Sequence, residues 1–381
     1  MKVLHVISGD LWAGAEVQAF TLLTALQRQP DIQLAAALMN DGELARRLRE
    51  RGIAVTVFPE DRLNAVQILG RLRMLMREWT PDVVHTHRSK ENILGSIANA
   101  MAHRAPSLRT VHGAPERSPQ GIRQLPRRLL DKLDRWCGNV LQQRVIAVSN
   151  ELAQQLAVQY GEQRVVVVEN GVDVESVQAA VRPVEFRTRE PQACHIGIVG
   201  RLVPVKRVDL FLDMAKVLVD EHPDRRWRFH VFGDGPLRDH LAAQSAALGI
   251  AATTTFHGHR SDVIACMAAL DALVICSDHE GLPMTVLESV TVGTAIVAHA
   301  TGGLISVLQG EPNARLVHEH TVHGYADAVC NLLANRSERS TAGINARFSS
   351  LRNGSAIRAV YDALCKRSTL HQAARGHGIS G

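Results

Sequence analysis

Short apolar runs alternate with segments of helical periodicity along this chain, and that alternation restricts the fold more than any other feature. VLHVIS (3–8), LAAALM (34–39), AVTVF (54–58) and DVVHTH (82–87) are strand-like. EVQAFTLLTALQ (16–27), ELARRLRERG (43–52) and VQILGRLRMLMREW (66–79) lie between them with apolar residues at helical spacing. Gly52 closes the second of these helices and Pro81 stops the third. Buried strands separated by helices pair in parallel, so the pattern predicts a doubly wound α/β sheet. The series restarts after the charged, proline-containing stretch RPVEFRTREPQ (182–192), with strands at 195–200, 228–233, 272–277 and 295–300 and helices at 208–222, 237–249 and 284–293. At 381 residues the chain exceeds one such core. The expected division is 1–185, 186–347 and a last helical segment from 348, with the polar residues 368–381 fraying. Two doubly wound domains facing each other would enclose a cleft, because ligands of such sheets sit beyond the carboxyl ends of the strands.

The residues at those ends carry the chemistry. Glu280-Gly281-Leu282-Pro283 through Glu288 follows the strand 272–277 and holds two carboxylates with seven residues between them. Pro283 suits the first position of a helix, where its missing N–H is no loss. Glu280 then lies on the loop and Glu288 inside the helix. Carboxylates accept hydrogen bonds from the hydroxyls of a sugar or ribose, and a helix start suits phosphate. Gly200 and Arg201 directly follow the strand 195–199, with Lys206 five residues on. Cations fixed there stabilise a departing diphosphate more than its bound precursor. Ala13-Gly14-Ala15-Glu16 offers a small-residue turn that lets backbone N–H groups approach phosphate, although it is not the GxGxxG pattern of dinucleotide sites.

Three histidines end strands on the same edge. His112, followed by Gly113, is the candidate for contact with a sugar or phosphate; of His85 and His87 only one is expected to face that edge. As metal ligands these two lack a third partner in sequence. With no Asp-x-Asp motif to hold a divalent cation and with Arg201 and Lys206 available, no metal and no cofactor are expected.

Composition matters at one place. Net charge is +5, yet residues 101–150 alone hold nine Arg and Lys against three acids. That excess points to an anionic partner, either a phosphate-bearing acceptor or a phospholipid surface, and no nucleic-acid partner is expected. The segment 125–137 sets Leu125, Leu129, Leu130, Leu133 and Trp136 against Arg127, Arg128, Lys132 and Arg135. It fits a helix lying on an anionic membrane and equally a surface helix packed on its own domain, the second being preferred. No apolar run is long enough to span a bilayer, the stretch before Asp10 is too short for a secretory signal, and none of the six cysteines has CxxC spacing. A cytoplasmic protein, at most peripheral on the inner face of the membrane, is expected.

Taken together the motifs resemble glycosyltransferase family 4, from about residue 3 to 365: the turn at 13–16, His85-Thr86-His87, Thr110 to Gly113, Ala147 to Ser149, Asn170 to Asp173, Gly200 to Lys206, Gly233 to Pro236, Phe256 to Gly258 with Asp262, Glu280 to Glu288, and Gly302-Gly303. The resemblance implies a GT-B fold of two Rossmann-like domains, with a last helix crossing back to the first, and a retaining, metal-independent transfer from a nucleotide-diphosphate sugar. UDP is favoured over GDP, and a glycan or lipid-linked acceptor of cell-surface polysaccharide or lipopolysaccharide is implied. It further implies that Glu280, with Gly281, Leu282 and Pro283 beside it, holds the sugar and Glu288 the ribose. Gly200, Arg201, Lys206 and Gly14 would take the diphosphate, His259 and Arg260 the base, and His112 would stand at the reaction centre. The acceptor would meet Lys90 and the 114–128 loop with Arg127 and Arg128. The chain departs from the family pattern at Ala13, Thr294 and Ser306; the last removes a Glu that often contacts the donor. A nucleotide-sugar 2-epimerase on the same fold, or an inactive binding homologue, are the competing readings.

Overall fold

A computed structural model describes residues 1–10, 12–113, 125–335 and 342–376. The chain divides into two units, and the expected α/β architecture holds in each. Unit 1 comprises Met1–Gly171 together with the segment from Ser350. Its strands are β1 Lys2–Ile7, β2 Gln33–Leu38, β3 Ala54–Val57, β4 Val83–Thr86, β5 Ser107–Val111, β6 Arg144–Ala147 and β7 Val165–Val167. They form one parallel sheet in the order β3-β2-β1-β4-β5-β6-β7. Strand order reverses between β1 and β4. Connections on either side of that point leave for opposite faces, so the carboxyl ends of these two strands stay open for a ligand.

Unit 2, Val172–Ser349, repeats the plan. Its strands are β8 Cys194–Val199, β9 Trp227–Phe232, β10 Thr254–Gly258, β11 Ala272–Ile275, β12 Ile296–His299 and β13 Ala314–Val317. All are parallel, in the order β10-β9-β8-β11-β12-β13, with the reversal between β8 and β11. The core under β8, β9 and β11 is continuous, from Ile196, Ile198 and Phe229 to Phe211, Leu212 and Met214 of the helix Val208–Glu221.

The structure moves two boundaries. The change of unit falls after Gly171, not after residue 185. The charged stretch 182–192 is no spacer: it holds the short helix Glu185–Arg189, and it is fastened to unit 2. Phe186 packs on the His230 ring at 4.2 Å, and Arg187 pairs with Asp271 through bonds of 2.7 and 3.0 Å. The last helix runs Ser350–Gly376, past the point where fraying was expected, because residues 368–374 are mostly good helix formers.

That helix belongs to unit 1. Its Ile357, Tyr361 and Leu364 are buried with Val3, Leu22, Leu26, Val83, Leu108 and Ile146, so the sheet's last covering layer comes from the far end of the chain. The helix Leu125–Val140 packs on its own domain, as preferred, but not through its apolar stripe: Leu129, Leu130, Leu133 and Trp136 are 36 to 63% exposed. The side chain turned inward is instead Asp134, which takes two 3.0 Å bonds from Arg109. Arg109 therefore does not contribute to the basic surface. Tyr361→Ala should lower unfolding free energy by about 3–5 kcal/mol, since it leaves a cavity the size of an aromatic ring and breaks a buried hydrogen bond; urea denaturation would measure it.

Candidate functional site

In unit 2 the residues at the β8/β11 reversal converge. Beyond the ends of these strands a pocket is lined by Gly200, Leu202, Lys206, Ser277, Glu280 and Thr285 over a floor of Ile198, Val231 and Val274. The Lys206 side chain runs over Gly200, where an added Cβ would be in ordinary contact with it at 3.6 Å. Lys206 Nζ donates to Glu280 Oε1 at 2.5 Å, and Ser277 Oγ donates to the same oxygen at 2.6 Å. Both bonds fall on Oε1, so Oε2 is left open to the hydroxyl of a ligand. Glu280 itself is held from behind. A Cβ on Gly302, which has φ +54°, would sit 1.7 Å from the Glu280 carbonyl oxygen, so only glycine allows this approach. Gly303 N–H donates to Gly281 O at 2.7 Å, and the His299 Nδ1–H to Ser277 O at 2.8 Å. The Gly302-Gly303 pair thus explains itself as the bed of the Glu280 loop.

Of the other donor candidates, Leu282 is buried and Pro283 is the residue before the helix Met284–Thr291. Its ψ of 136° is extended, so it precedes the first helical position expected for it. Glu288 is buried one turn along, and burial pushes its carboxyl up to about 7. Arg201 is exposed at the same strand end and pairs with nothing among the described residues. His259 and Arg260 follow β10 on the same edge; Arg260 is held by Asp262 through bonds of 2.7 and 2.8 Å. Thr294 replaces the usual proline by donating from its hydroxyl to Met267 O at 2.8 Å. Ser306 turns its hydroxyl to Gly303 O.

In unit 1 the expectation about the histidines fails in an informative way. His85 and His87 lie two apart and therefore on the same side of the chain, with rings stacked 4.5 Å apart, and both are buried. They belong to a chain of hydrogen bonds. From His112 Nε2 it runs to His87 Nδ1 (3.1 Å), from His87 Nε2 to His5 Nδ1 (3.2 Å), and from His5 Nε2 to the Tyr361 hydroxyl (3.3 Å). It continues to His85 Nδ1 (2.7 Å) and ends with His85 Nε2 on Thr110 Oγ1 (2.8 Å). Burial lowers all four imidazoles, His5 and His112 to about 3, so each is neutral near pH 7 with one donor and one acceptor nitrogen. His5 is the third imidazole that the sequence did not supply, and one nitrogen from each of His5, His85 and His87 lies within 4.8 Å of the others. Those nitrogens are already taken up by one another, by Tyr361 and by Thr110.

Gly14 opens the helix Gly14–Gln27, and a Cβ there would meet nothing within 4 Å. Neither packing nor backbone angle demands glycine there. Beside it sits Arg88, which sequence reasoning missed. It lies two residues past β4, capping the helix Ser89–Met101, with a strained φ of +33°, and binds the buried Glu16 at 2.8 Å and Asp10 at 3.3 Å. Lys90, an acceptor candidate, pairs with Glu60. Arg128 is exposed, and the side chain of Arg127 and the segment 114–124 lie outside the described residues.

The chain is similar to known proteins over most of its length. The family model Glycosyltransferase Family 4 matches residues 12–176, and Glycosyl transferases group 1 matches 187–348. The chain is 26% identical over 277 residues, 70% of each chain, to the UDP-Gal:alpha-D-GlcNAc-diphosphoundecaprenol alpha-1,3-galactosyltransferase of Escherichia coli. It is 28% identical over 378 residues to the D-inositol 3-phosphate glycosyltransferase of Corynebacterium glutamicum, covering 87% of this chain and 86% of that one. The fold matches Anabaena HepE in complex with UDP-glucose at a TM-score of 0.79 and 20% identity, over 95% of this chain and all of the other.

Glu288 gives an electrostatic test of the helix Met284–Thr291. A carboxyl raised from its ordinary 4.5 to about 7 holds an extra proton in the folded state between those values. Its contribution to stability is full below 4.5 and is lost as pH rises through 7. Glu288→Gln should remove that decline, so that the variant gains on the parent between about pH 5 and about pH 8, by up to about 1.4 kcal/mol for each pH unit crossed below 7. Urea unfolding of both proteins at the two pH values measures the difference.

Proposed function

We infer the function from one premise: the chain belongs to glycosyltransferase family 4. It is a glycosyltransferase that uses a nucleotide-sugar donor, and we propose that this donor is a UDP-sugar, that the anomeric configuration is retained, and that no metal takes part. The observation carrying this reading is the meeting of Lys206 and Glu280 at the mouth of the β8/β11 pocket, opposite charges fixed 2.5 Å apart where a diphosphate and a sugar would lie side by side.

The chemistry follows from the residues. Lys206 and the exposed Arg201 supply positive charge to the diphosphate, and that charge counts most as the bond to the sugar breaks. Glu280 Oε2 accepts from a sugar hydroxyl while Oε1 stays with Lys206 and Ser277. Glu288 serves the ribose, and Gly14 offers open backbone N–H to phosphate. His112, kept neutral, is suited to a hydrogen bond with a sugar hydroxyl. The acceptor oxygen forms its bond to the anomeric carbon on the face the phosphate leaves. The C–O bond to phosphate breaks, and the acceptor's proton passes to the departing phosphate oxygen. No side chain need act as base.

A UDP donor is supported by the name of the Escherichia coli relative, which acts on a lipid diphosphate acceptor. A glycan or lipid-linked acceptor in cell-surface polysaccharide or lipopolysaccharide assembly fits that relative best, with the enzyme working on the cytoplasmic face of the membrane. Among the described residues no helix is long and apolar enough to cross a bilayer.

The test is turnover of UDP-glucose, UDP-galactose and GDP-mannose in the presence of EDTA, read as released nucleotide and as the anomeric proton of the product by NMR. A UDP-sugar should be consumed with its α configuration kept, and activity restored only by added Mg²⁺ would remove the metal-free assignment. Arg201→Ala combined with Lys206→Ala should leave the melting temperature nearly unchanged and cut transfer by about a hundredfold or more. Parental rates in that double variant would refute the phosphate assignment.

A further inference from the structure

We propose that the helix Leu125–Val140 seats unit 1 on an anionic lipid surface. The inference does not depend on the transferase reading, and its readout is separate from turnover.

The helix carries two exposed stripes side by side. At 100° per residue, Leu129, Leu133, Trp136 and Val140 fall within a band of about 60°, and it extends about 16 Å along the axis. All four are exposed, Leu129 at 63% and Val140 at 59%. Arg128, Lys132 and Arg135 fall in a second band, turned about 100° from the first. All three are exposed, and among the described residues none of their side chains forms a hydrogen bond or an ion pair.

The third side of the helix fixes this arrangement. Asp134 is buried and receives Arg109 and the Asn92 amide (2.7 Å), while the Gly138 backbone lies against the Tyr160 ring so closely that a Cβ would sit 2.6 Å from it. A buried ion pair and a ring contact thus hold the helix in one rotation, with the leucines and the tryptophan outward. A loosely packed helix would turn its apolar side in; this one is anchored against doing so.

Apolar side chains exposed along one line with cations beside them match the two layers of a membrane face: acyl chains take the first and anionic headgroups the second. Trp136, half exposed within the apolar stripe, suits the boundary between them. The spacing of the stripe would also suit a helix of a second copy. The cationic stripe speaks against that occupant, because among the described exposed residues of this helix only Asp131 is acidic, so two copies of the helix would meet with like charge.

The test is co-sedimentation of the full chain with vesicles of phosphatidylcholine mixed with phosphatidylglycerol, against pure phosphatidylcholine. The parent should pellet with the mixed vesicles and bind the neutral ones at least about tenfold more weakly, with added salt weakening the former. Lys132→Glu with Arg135→Glu should weaken binding to the mixed vesicles at least about tenfold. Leu129→Ser with Trp136→Ser should weaken it too. Because these side chains are exposed, both variants should melt with the parent, which separates lost binding from lost fold. The proposal is overturned if the parent stays in the supernatant, or if both variants pellet as the parent does. It is overturned equally if the parent is a dimer that the two serines turn into a monomer, which would give the stripe to a second copy.

Discussion

The candidate site of each unit depends on where parallel strands stop. A parallel sheet needs a crossover after every strand, and at the one place where strand order reverses the neighbouring crossovers part to opposite faces. Polar groups carried past the strand ends there are neither covered by a helix nor paired in the ladder. In unit 2 the opening between β8 and β11 admits Lys206 and Glu280; in unit 1 the opening between β1 and β4 admits Gly14, Arg88 and the head of the imidazole chain. The sheet supplies the gap, and the loops fill it with charge.

Both units also bury histidines in a line, and the two lines differ in freedom. In unit 2, His195 Nε2–H donates to the Glu190 carbonyl, which can only accept. His195 Nδ1 must then accept from His230 Nε2–H, and His230 Nδ1 from His257 Nε2–H, each at 2.9 Å. Every tautomer is dictated by one backbone oxygen. In unit 1 the line ends on Thr110, a hydroxyl that can donate or accept, so either direction satisfies every member. The hydrogen on the outer nitrogen of His112 is consequently set by whatever it meets, a property that suits the sugar contact proposed for it.

How much of this was legible in sequence depended on the range of the interaction. Strands that read as unbroken apolar runs, such as those around Val6, Ile198 and Val274, were visible. The strand Thr254–Gly258 was not, since threonine and histidine fill it and only its place beside β9 makes it a strand. Gly200, Lys206, Glu280 and Glu288 declared themselves because two short motifs place them just past the ends of β8 and β11. Ser277 ended an expected strand, His5 lay within another and Tyr361 within the last helical segment; the bond between His5 and Tyr361 spans 356 residues of chain, and no local pattern reports that. The helix Leu125–Val140 shows the other limit. Periodicity reveals that a helix has two faces, but which one turns inward was decided by Arg109 and Asp134, a contact periodicity does not weigh.

The return of the last helix to unit 1 has a consequence for how the chain comes into being. Val172 N–H donates to Phe348 O at 2.7 Å, so the outgoing and incoming passages of the chain lie side by side, and all of unit 2 is threaded between the halves of unit 1. As synthesis proceeds, the seven-stranded sheet emerges first but lacks Ile357, Tyr361 and Leu364 over Val3, Val83 and Ile146. Unit 2, contiguous in sequence, can close its core while the older unit still waits with a bare apolar face. The first half to leave the ribosome is therefore the last to mature, and during that interval it is the part of the molecule most exposed to misassociation.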